Sequence, residues 1–363
     1  MKRVLACFLF AALVFGGLSA QAKPVIGVLI RNLSDQFLGD YTANLKQLAA
    51  AKGVELKVMD ASSDQAKQLD QLNTLLSQGI KYFIIVPAVS EGSDEIAKAI
   101  LAKYKDGGAA FSNTAPTVSA LKLSKNFFFA SSPESVAGQI QADIIDNYFK
   151  KFPGKLGPGK AINAIVILGQ LGHPAQIYRT DAVLKTLAKK GYTVNIIAKD
   201  TANWQPDEAQ AKMDAWLNAY KDKFNVVIAN NDAMALGAVE SLITANYVQD
   251  PNDSTKDVEG TGTVLKVPVL GVDCTQVALK SMSEKKLYAT VLQDAVGQSS
   301  VAFELAYAMA TKGSVYGKKM FGISPLAAPI SEAPANDAAV AGQCYLVPFK
   351  GVTMDNYQSF ISK

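Results

Sequence analysis

The stretch 226–240, VVIANNDAMALGAVE, is a short apolar run that ends in two amides and a carboxylate before an apolar helical pattern begins. This pattern predicts a buried strand followed by a helix, with Asn231 and Asp232 between them. In an open α/β sheet, ligands bind at the carboxyl ends of the strands. The helix start adds free backbone N–H groups and the positive end of the helix dipole. Because the side chains here are neutral or acidic, the site suits an uncharged polyhydroxyl ligand better than a phosphate.

The composition is that of a globular protein with two ordinary domains. The chain has 363 residues, of which 49% are hydrophobic and 19% are charged, with a formal net charge of +4. This length and apolar content are enough for two full cores. The small net charge gives no indication of a nucleic-acid-binding protein or of an acidic tail.

The N-terminus predicts export. Met1–Arg3 is basic, Val4–Val14 is apolar, and Leu18–Ala22 supplies the small residues of a cleavage site. Residues 1–22 therefore read as a secretory signal peptide, and the apolar run is too short to span a membrane. Cys7 loosely resembles a lipoprotein cysteine, but it opens the apolar region rather than following it. We expect a periplasmic protein that begins near Lys23, in preference to a lipid-anchored one.

Apolar runs and helical patterns alternate along the rest of the chain. Strands are predicted at 25–30, 54–59, 82–86, 109–111, 127–130, 164–168, 193–198, 226–229, 267–272 and 288–292, and helices at 37–51, 65–78, 93–104, 174–189 and 205–220. Such alternation predicts right-handed βαβ units and parallel sheets, and the restart near residue 164 predicts one sheet per domain. Residues 249–263 are expected to be an exposed insertion, and residues 314–337 a long surface segment.

One segment resembles a nucleotide-binding motif. Gly154–Ala161 nearly fits a phosphate-binding loop, but it precedes a strand, and Pro158 lacks the backbone N–H that a cradle would need. We interpret it as a basic linker.

Cys274 and Cys344 remain after removal of the signal peptide. They either pair in the oxidising periplasm or act as two small buried hydrophobic residues. No Cys/His cluster indicates a metal site.

From Lys23 to the C-terminus the chain resembles the periplasmic galactose/glucose-binding proteins, the type I solute-binding components of bacterial ABC sugar importers. The resemblance rests on four separated blocks in the family's order: residues 172–174 (GHP) with Arg179, 200–217 (DTANWQPDEAQAKMDAWL), 228–242 and 270–273 (LGVD). It implies two Rossmann-like lobes with parallel sheets, joined by a three-segment hinge near Ser131, Asp294 and Val347. The N-terminal lobe would comprise 23–131 plus 294–346, and the C-terminal lobe 132–293 plus 347–363.

The resemblance also implies a sugar site in the cleft between the lobes. A hexose stacks its C–H faces on aromatic rings and exchanges hydrogen bonds with carboxylates, amides and guanidinium groups. The implied sugar-binding residues are Asp35, Phe37, Asn113, His173, Arg179, Trp204, Asn231, Asp273 and Gln293.

Several of these residues also have ordinary structural interpretations. Asp35 and Asp273 could cap helices, and Asn113 could form a turn. Arg179 could lie on a solvated helix face, and Trp204 could anchor a core, which is the role we expect for Trp216.

The chain departs from the family pattern in the sugar site and in the calcium site. Ala175 stands where the pattern has a sugar-binding aspartate, and Gln293 where it has an asparagine, so the sugar could differ from glucose and galactose. The family's calcium loop would lie at 150–161, which contains no carboxylate, and Asn225 stands at its outlying glutamate. We therefore expect no metal and no cofactor.

The predicted function is binding without catalysis. The protein would capture a glucose- or galactose-like hexose as a monomer and deliver it to an ABC permease in the inner membrane; presentation to a chemoreceptor is compatible with this role. The alternative is a carbohydrate-active hydrolase that uses two cleft carboxylates, Asp35 and Asp273, although no catalytic motif supports it. A DNA-binding regulator is disfavoured by the export signal and by the absence of a helix-turn-helix pattern.

Overall fold

The computed structural model describes residues 23–249, 264–313 and 315–361. The predicted signal peptide, Cys7 and nearly all of the predicted 249–263 insertion lie outside these ranges. No helix in the described part of the chain is long and apolar enough to cross a membrane.

Twelve strands and ten α-helices are named here in chain order. The strands are β1 Val25–Ile30, β2 Glu55–Asp60, β3 Tyr82–Ile85, β4 Gly108–Ser112, β5 Phe127–Ser131, β6 Ala161–Leu168, β7 Thr193–Thr201, β8 Val226–Ala229, β9 Val269–Leu270, β10 Thr290–Leu292, β11 Cys344–Leu346 and β12 Lys350–Val352. The helices are α1 Gln36–Lys52, α2 Gln65–Ser77, α3 Gly92–Lys103, α4 Val118–Lys122, α5 Glu134–Lys151, α6 Pro174–Lys189, α7 Pro206–Tyr220, α8 Asp232–Thr244, α9 Gln276–Ser283 and α10 Ala295–Lys312.

The first sheet has six parallel strands in the order β11-β5-β4-β3-β1-β2. One of its faces packs against α1 and α10, and the other against α2, α3 and α4. Both faces are covered, which is why its strands read as continuous apolar runs. This sheet and its helices are called the first lobe below.

The second sheet has four parallel strands in the order β7-β6-β8-β9, and β10 and β12 form an antiparallel pair beside it. Helices α5 and α6 pack on one face, and α7, α8 and α9 on the other. This unit is called the second lobe. The prediction of an α/β fold with two parallel sheets is confirmed.

The chain passes between the two sheets three times among the described residues. It crosses from β5 to α5 just after Ser131, from β10 to α10 at Asp294, and from β11 to β12 around Val347. Asp294 caps α10 by accepting a hydrogen bond from Gly297 N at 2.8 Å. These are the segments that a movement of one lobe relative to the other would bend.

The observed elements differ from the predictions in instructive ways. The long helices α5 and α10 are not among the predicted helices. In α10 eleven of eighteen residues are buried, so the helix shows no single apolar stripe. Cys274 and Cys344 are buried free thiols in different lobes, so of the two alternatives left open for them the buried hydrophobic role is correct. Burial raises the pKa of each thiol to about 12.

The segment predicted as a long surface stretch is partly buried. Its described residues, 315–337, contain no helix or long strand, yet Met320 and Ala335 pack into the core clusters of the first lobe. Glu332 is 5% exposed and accepts a hydrogen bond from Ser135 N at 2.7 Å, at the start of α5 in the second lobe. The segment therefore packs on one lobe and touches the other.

Candidate ligand-binding site

The carboxyl ends of strands from both sheets face one half-open space of about 280 Å³, a volume that includes its opening to solvent. Eleven residues line it: Arg31, Asp35, Phe37, Asn113, His173, Ala175, Arg179, Trp204, Asn231, Asp273 and Gln293. The structure thus brings together all nine residues that the sequence singled out, and Ala175 with them. Arg31 is the one lining residue that sequence reasoning missed. Its position, directly after β1 and four residues before Asp35, is the only signal that could have indicated it.

Arg179 is the most heavily bonded side chain of the site. Its Nε donates to Glu134 Oε2 at 2.7 Å, Nη1 donates to the Asn230 carbonyl at 2.7 Å, and Nη2 donates to Gln293 Oε1 at 2.8 Å. The residue is 2% exposed, so the solvated helix face considered for it is wrong. Nη1 also lies 3.9 Å from Asp273 Oδ1. These bonds fix the guanidinium plane and leave part of it facing the cleft.

His173 connects the two lobes. It caps α6, where its Nδ1 accepts a hydrogen bond from Ala175 N at 3.2 Å, and its Nε2 lies 3.1 Å from Thr114 Oγ1 of the first lobe. Because Nδ1 accepts a hydrogen bond, Nε2 of the neutral ring carries the proton and donates a hydrogen bond to Thr114 Oγ1. Burial, followed by the charges of Arg31 and Arg179, lowers the pKa of His173 well below its ordinary value. The ring is therefore a neutral, fixed donor.

One aromatic ring from each lobe lines the space. Phe37, at the start of α1, and Trp204, after β7, are each 5% exposed. Trp204 lies at a positive φ of 69° with its indole against Gly169, where an added Cβ would come within 2.1 Å of the ring. The His173 ring meets the indole edge-on at a centroid distance of 5.2 Å. Two such rings offer apolar surfaces for the C–H faces of a ligand.

Asp35 and Asn231 are helix caps as well as lining residues. Asp35 Oδ1 accepts from Leu38 N at 3.3 Å, and its Oδ2 accepts from Arg31 Nη2 at 2.6 Å. Asn231 Oδ1 accepts from Met234 N at 3.0 Å. The capping interpretation and the site interpretation are thus compatible, since a cap holds the side chain at the cleft.

Asp273 does not cap a helix, which corrects the alternative considered for it. Thr275 caps α9 by accepting from Ala278 N at 3.2 Å. Asp273 has an unusual φ of 129° and is 7% exposed. Burial raises the pKa of Asp273 well above its ordinary value. The charge of Arg179 opposes this rise, and the nearby carboxyl of Asp232 adds to it.

Asn113, after β4, also has a positive φ of 57°, so the turn-forming role and the lining position coincide.

Asp232 follows Asn231 in the opening motif. It does not line the space but bonds to neighbouring segments of the second lobe. It is fully buried and accepts from Thr290 Oγ1 at 2.6 Å and from Thr275 N at 2.9 Å. These bonds tie the start of α8 to β10 and to the start of α9. Burial raises the pKa of Asp232 to about 6.

The remaining sequence expectations concern metals and phosphates. The linker 154–161 forms turns before β6 and does not follow a strand, so it is not a phosphate-binding loop. Across residues 23–249, 264–313 and 315–361, no group of three or more His, Cys, Asp or Glu side chains could hold a metal ion. Asn225 donates from Nδ2 to the carbonyls of Lys155 and Ala161, at 3.1 Å each. It thereby holds the beginning and the end of the linker 154–161 together.

The comparisons with known proteins agree with this architecture. Residues 26–314 match the family model described as a periplasmic binding protein domain. The D-galactose/methyl-galactoside binding periplasmic protein of Haemophilus influenzae is 29% identical over 358 residues, which cover 96% of each chain. A putative rhizopine-binding protein of Rhizobium meliloti is 31% identical over 298 residues, covering 81% of this chain and 83% of the relative.

Solved structures show the same fold. An ABC transporter solute-binding protein of Bacillus halodurans with bound myo-inositol superposes with a TM-score of 0.70 at 25% identity, covering 93% of this chain and 97% of that one. A galactofuranose-binding protein reaches a TM-score of 0.74 at 15% identity, which speaks for the fold alone. With this fold and this interlobe site, the chain belongs to the family of type I periplasmic sugar-binding proteins.

Proposed function

We propose that this periplasmic sugar-binding component of an ABC importer captures a monosaccharide with a glucose- or galactose-like ring in the interlobe space. One observation carries the proposal. Carboxylates, amides, two guanidinium groups and one aromatic ring from each lobe line a single space of about 280 Å³. Rings match the C–H faces of a pyranose, and the polar groups match its hydroxyl edge.

The lining side chains favour binding over hydrolysis. A glycosidase needs two carboxyl groups free to act as acid and as base or nucleophile. Asp35 is engaged on both oxygens, by Arg31 and by the start of α1. That leaves Asp273 as the one lining carboxyl without such bonds in the described structure. The relatives named above are likewise binding proteins.

Closure of the two lobes would trap the sugar and signal its presence. Three crossings connect the lobes, and the His173–Thr114 contact joins them across the site. We expect the lobes to separate when the site is empty and to close over the ligand, as hinge-bending proteins do. The closed form would dock on the membrane permease and is compatible with docking on a chemoreceptor. The protein would act as a monomer, since the site is complete within one chain.

Intrinsic fluorescence tests the proposal directly. The chain has two tryptophans, and only Trp204 lines the site. Titration with hexoses, pentoses, inositols and sugar acids should change the emission in a saturable way with at least one of them. The change should persist in Trp216→Phe and vanish in Trp204→Phe. If no member of the panel changes the emission and calorimetry detects no binding, the proposed function is wrong.

A further inference from the structure

A short loop of the first lobe contacts the second lobe outside the ligand-binding site. We call this loop, residues 330–335, the strap. Ile330 N donates to the Ala335 carbonyl at 3.0 Å, which closes the loop, and Ala335 lies in the core of the first lobe with Ile330 packed against it. Just beyond the strap, Asp337 Oδ2 pairs with Lys122 Nζ of α4 at 2.7 Å. The strap is therefore fixed to the first lobe.

Glu332 of the strap caps a helix of the other lobe. The first backbone N–H groups of a helix have no partner inside the helix. At the start of α5 the capping position is Pro133, which makes no side-chain cap hydrogen bond. Glu332 Oε1 accepts instead from Ser135 N at 2.7 Å and from Ser135 Oγ. A carboxylate at a helix N-terminus is favoured by the helix dipole, and Glu332 is only 5% exposed. This contact between the lobes is thus charge-assisted and largely shielded from water.

A second contact joins the strap to α6. Ala333 N donates to the Tyr178 hydroxyl oxygen at 3.1 Å. Tyr178 lies near the start of α6, the helix that His173 caps beside its contact with Thr114 of the first lobe. The strap and the start of α6 line a small cavity next to the ligand-binding site, and Asn113 lines both spaces. Glu332 and Tyr178 line this cavity and not the ligand-binding site itself.

These contacts depend on the position of one lobe relative to the other. The strap belongs to the first lobe, whereas Ser135 and Tyr178 belong to the second, so a rotation that opens the cleft pulls the bonded atoms apart. Protein atoms alone form the bonds, so they favour closure with or without a sugar. A ligand that binds the closed form gains apparent affinity in proportion to the fraction of the protein that is closed.

We propose that the strap is an interlobe latch, which stabilises the closed form through Glu332 and Tyr178 and so sets how tightly and how long the protein holds its ligand. The latch raises the affinity for every enclosed sugar by the same factor, because neither side chain lines the ligand-binding site. Selectivity among sugars is left to the lining residues. The inference rests on the proposed function, since it requires that a sugar bind the closed lobes.

Affinities measured with two sugars test the latch. Glu332→Ala removes the capping carboxylate, and Tyr178→Phe removes only the hydroxyl that accepts from Ala333. In calorimetry with D-galactose and with D-glucose, Glu332→Ala should bind each sugar about ten-fold more weakly and Tyr178→Phe about three-fold, because hydrogen bonds to charged groups are the stronger ones. Within one variant, both sugars should lose affinity by the same factor. Stopped-flow fluorescence of Trp204 should show correspondingly faster release.

Small-angle X-ray scattering of the ligand-free protein gives a readout that needs no sugar. The latch should keep part of this population closed, so the radius of gyration should be larger in Glu332→Ala than in the wild type. A merely structural role of Glu332 would lower the free energy of unfolding and leave both the radius of gyration and the affinity of the folded protein unchanged. If neither sugar binds, the proposed function fails for these sugars, and the scattering alone decides whether the latch exists.

The matched control is Asp337→Ala. Asp337 is a carboxylate of the same segment, but its partners, Lys122 Nζ and Ala339 N, lie within the first lobe. This substitution should leave the affinities and the radius of gyration unchanged. The inference is overturned if Glu332→Ala behaves like Asp337→Ala in both measurements. It is also overturned if Glu332→Ala weakens the binding of one sugar only, because Glu332 would then act on selectivity rather than on closure. Tyr178→Phe decides the matter if Glu332→Ala does not fold.

Discussion

The two walls of the cleft are built differently. On the second-lobe wall, Arg179 makes three hydrogen bonds to protein atoms and Asn231 caps a helix, so these side chains are held before any ligand arrives. On the first-lobe wall, Arg31 makes one ion pair, to Asp35. Asn113 is half-buried, and its side chain makes no hydrogen bond to the residues that the structure describes. A pre-organised wall loses little entropy on binding. We therefore expect the second lobe to fix the sugar and the first lobe to complete the site.

The largest expected effect comes from removing the Arg179 guanidinium, which makes three hydrogen bonds on the second-lobe wall. Arg179→Met leaves the Glu134 carboxylate buried without its partner at 2.7 Å. Removing one member of a buried ion pair typically costs 3–5 kcal/mol, so the free energy of unfolding should fall by about that amount. Urea denaturation at neutral pH measures the change. Sugar binding should weaken in the same variant, because the Gln293 amide loses its anchor.

The comparison for this variant is the exposed pair on the same helix. Lys185 Nζ lies 2.8 Å from Asp181 Oδ2, and the two side chains are 70% and 57% exposed. Lys185→Met should change the free energy of unfolding by no more than about 0.5 kcal/mol. If Arg179→Met costs no more than Lys185→Met, the second-lobe wall is not held in the way described here.

A smaller effect is expected from displacing the indole of the same wall. In Gly169→Ala the new methyl would lie 2.1 Å from the Trp204 ring, which must move. Overpacking of this kind costs about 1–3 kcal/mol of stability. The fluorescence of Trp204 should shift and the affinity for sugar should fall. Gly39→Ala, in α1 with no atom within 4 Å of the new methyl, is the control and should be neutral or slightly stabilising. If the affinity for sugar is unchanged in Gly169→Ala, Trp204 is not part of the binding surface.

His173, whose ring contacts Thr114 across the cleft, should make the free energy of unfolding depend on pH. The pKa of His173 is lower in the folded protein than in the unfolded chain, so below about pH 6.5 the unfolded chain binds a proton that the folded protein does not. The contribution of His173 is therefore complete above that pH and is lost as the pH falls. The stability advantage of the wild type over His173→Gln should shrink by up to about 1.4 kcal/mol per pH unit between pH 6.5 and 5.

Comparing the two proteins at each pH is necessary because another buried group acts in the opposite sense. The pKa of Asp232 is raised to about 6, so its contribution is complete below about pH 3.8 and is lost as the pH rises through 6. This group is present in both proteins and cancels in their difference. A difference that stays flat from pH 8 to 5 would mean that His173 titrates normally in the folded protein.

Helices with a clear start signal and a single apolar stripe could be predicted from sequence. The bounds of α6 are those predicted, because Pro174 marks its first turn and one apolar stripe runs along it. The helices α5 and α10 were missed because they are buried on several sides, which erases the stripe. Tertiary packing, which a pattern of single residues does not record, decided both cases.

Among the site residues, family resemblance found those whose types recur in sugar sites, and missed the one whose role depends on burial. An arginine after a strand is usually exposed, whereas Arg31 is buried in the folded chain, where its Nη2 lies 2.6 Å from Asp35 Oδ2. The helix cap considered for Asp273 failed for a backbone reason. Its φ of 129° points the chain away from a capping geometry, and Thr275 takes that place.

The smallest expected effect concerns a loop remote from both walls. Asn225 donates to the Lys155 and Ala161 carbonyls and accepts from Asn163 N at 2.8 Å, so its amide does the bridging that a cation would do between carbonyl oxygens. The neighbouring segment 150–161 offers no carboxylate, and Ca²⁺ sites usually include several. Adding Ca²⁺, or removing it with a chelator, should leave the melting temperature unchanged. A saturating sugar serves as the positive control, because a ligand that binds only the folded protein must raise it. A melting temperature that rises with Ca²⁺ would mean that carbonyls and amides alone suffice to hold the ion, and that Asn225 is a ligand rather than its replacement.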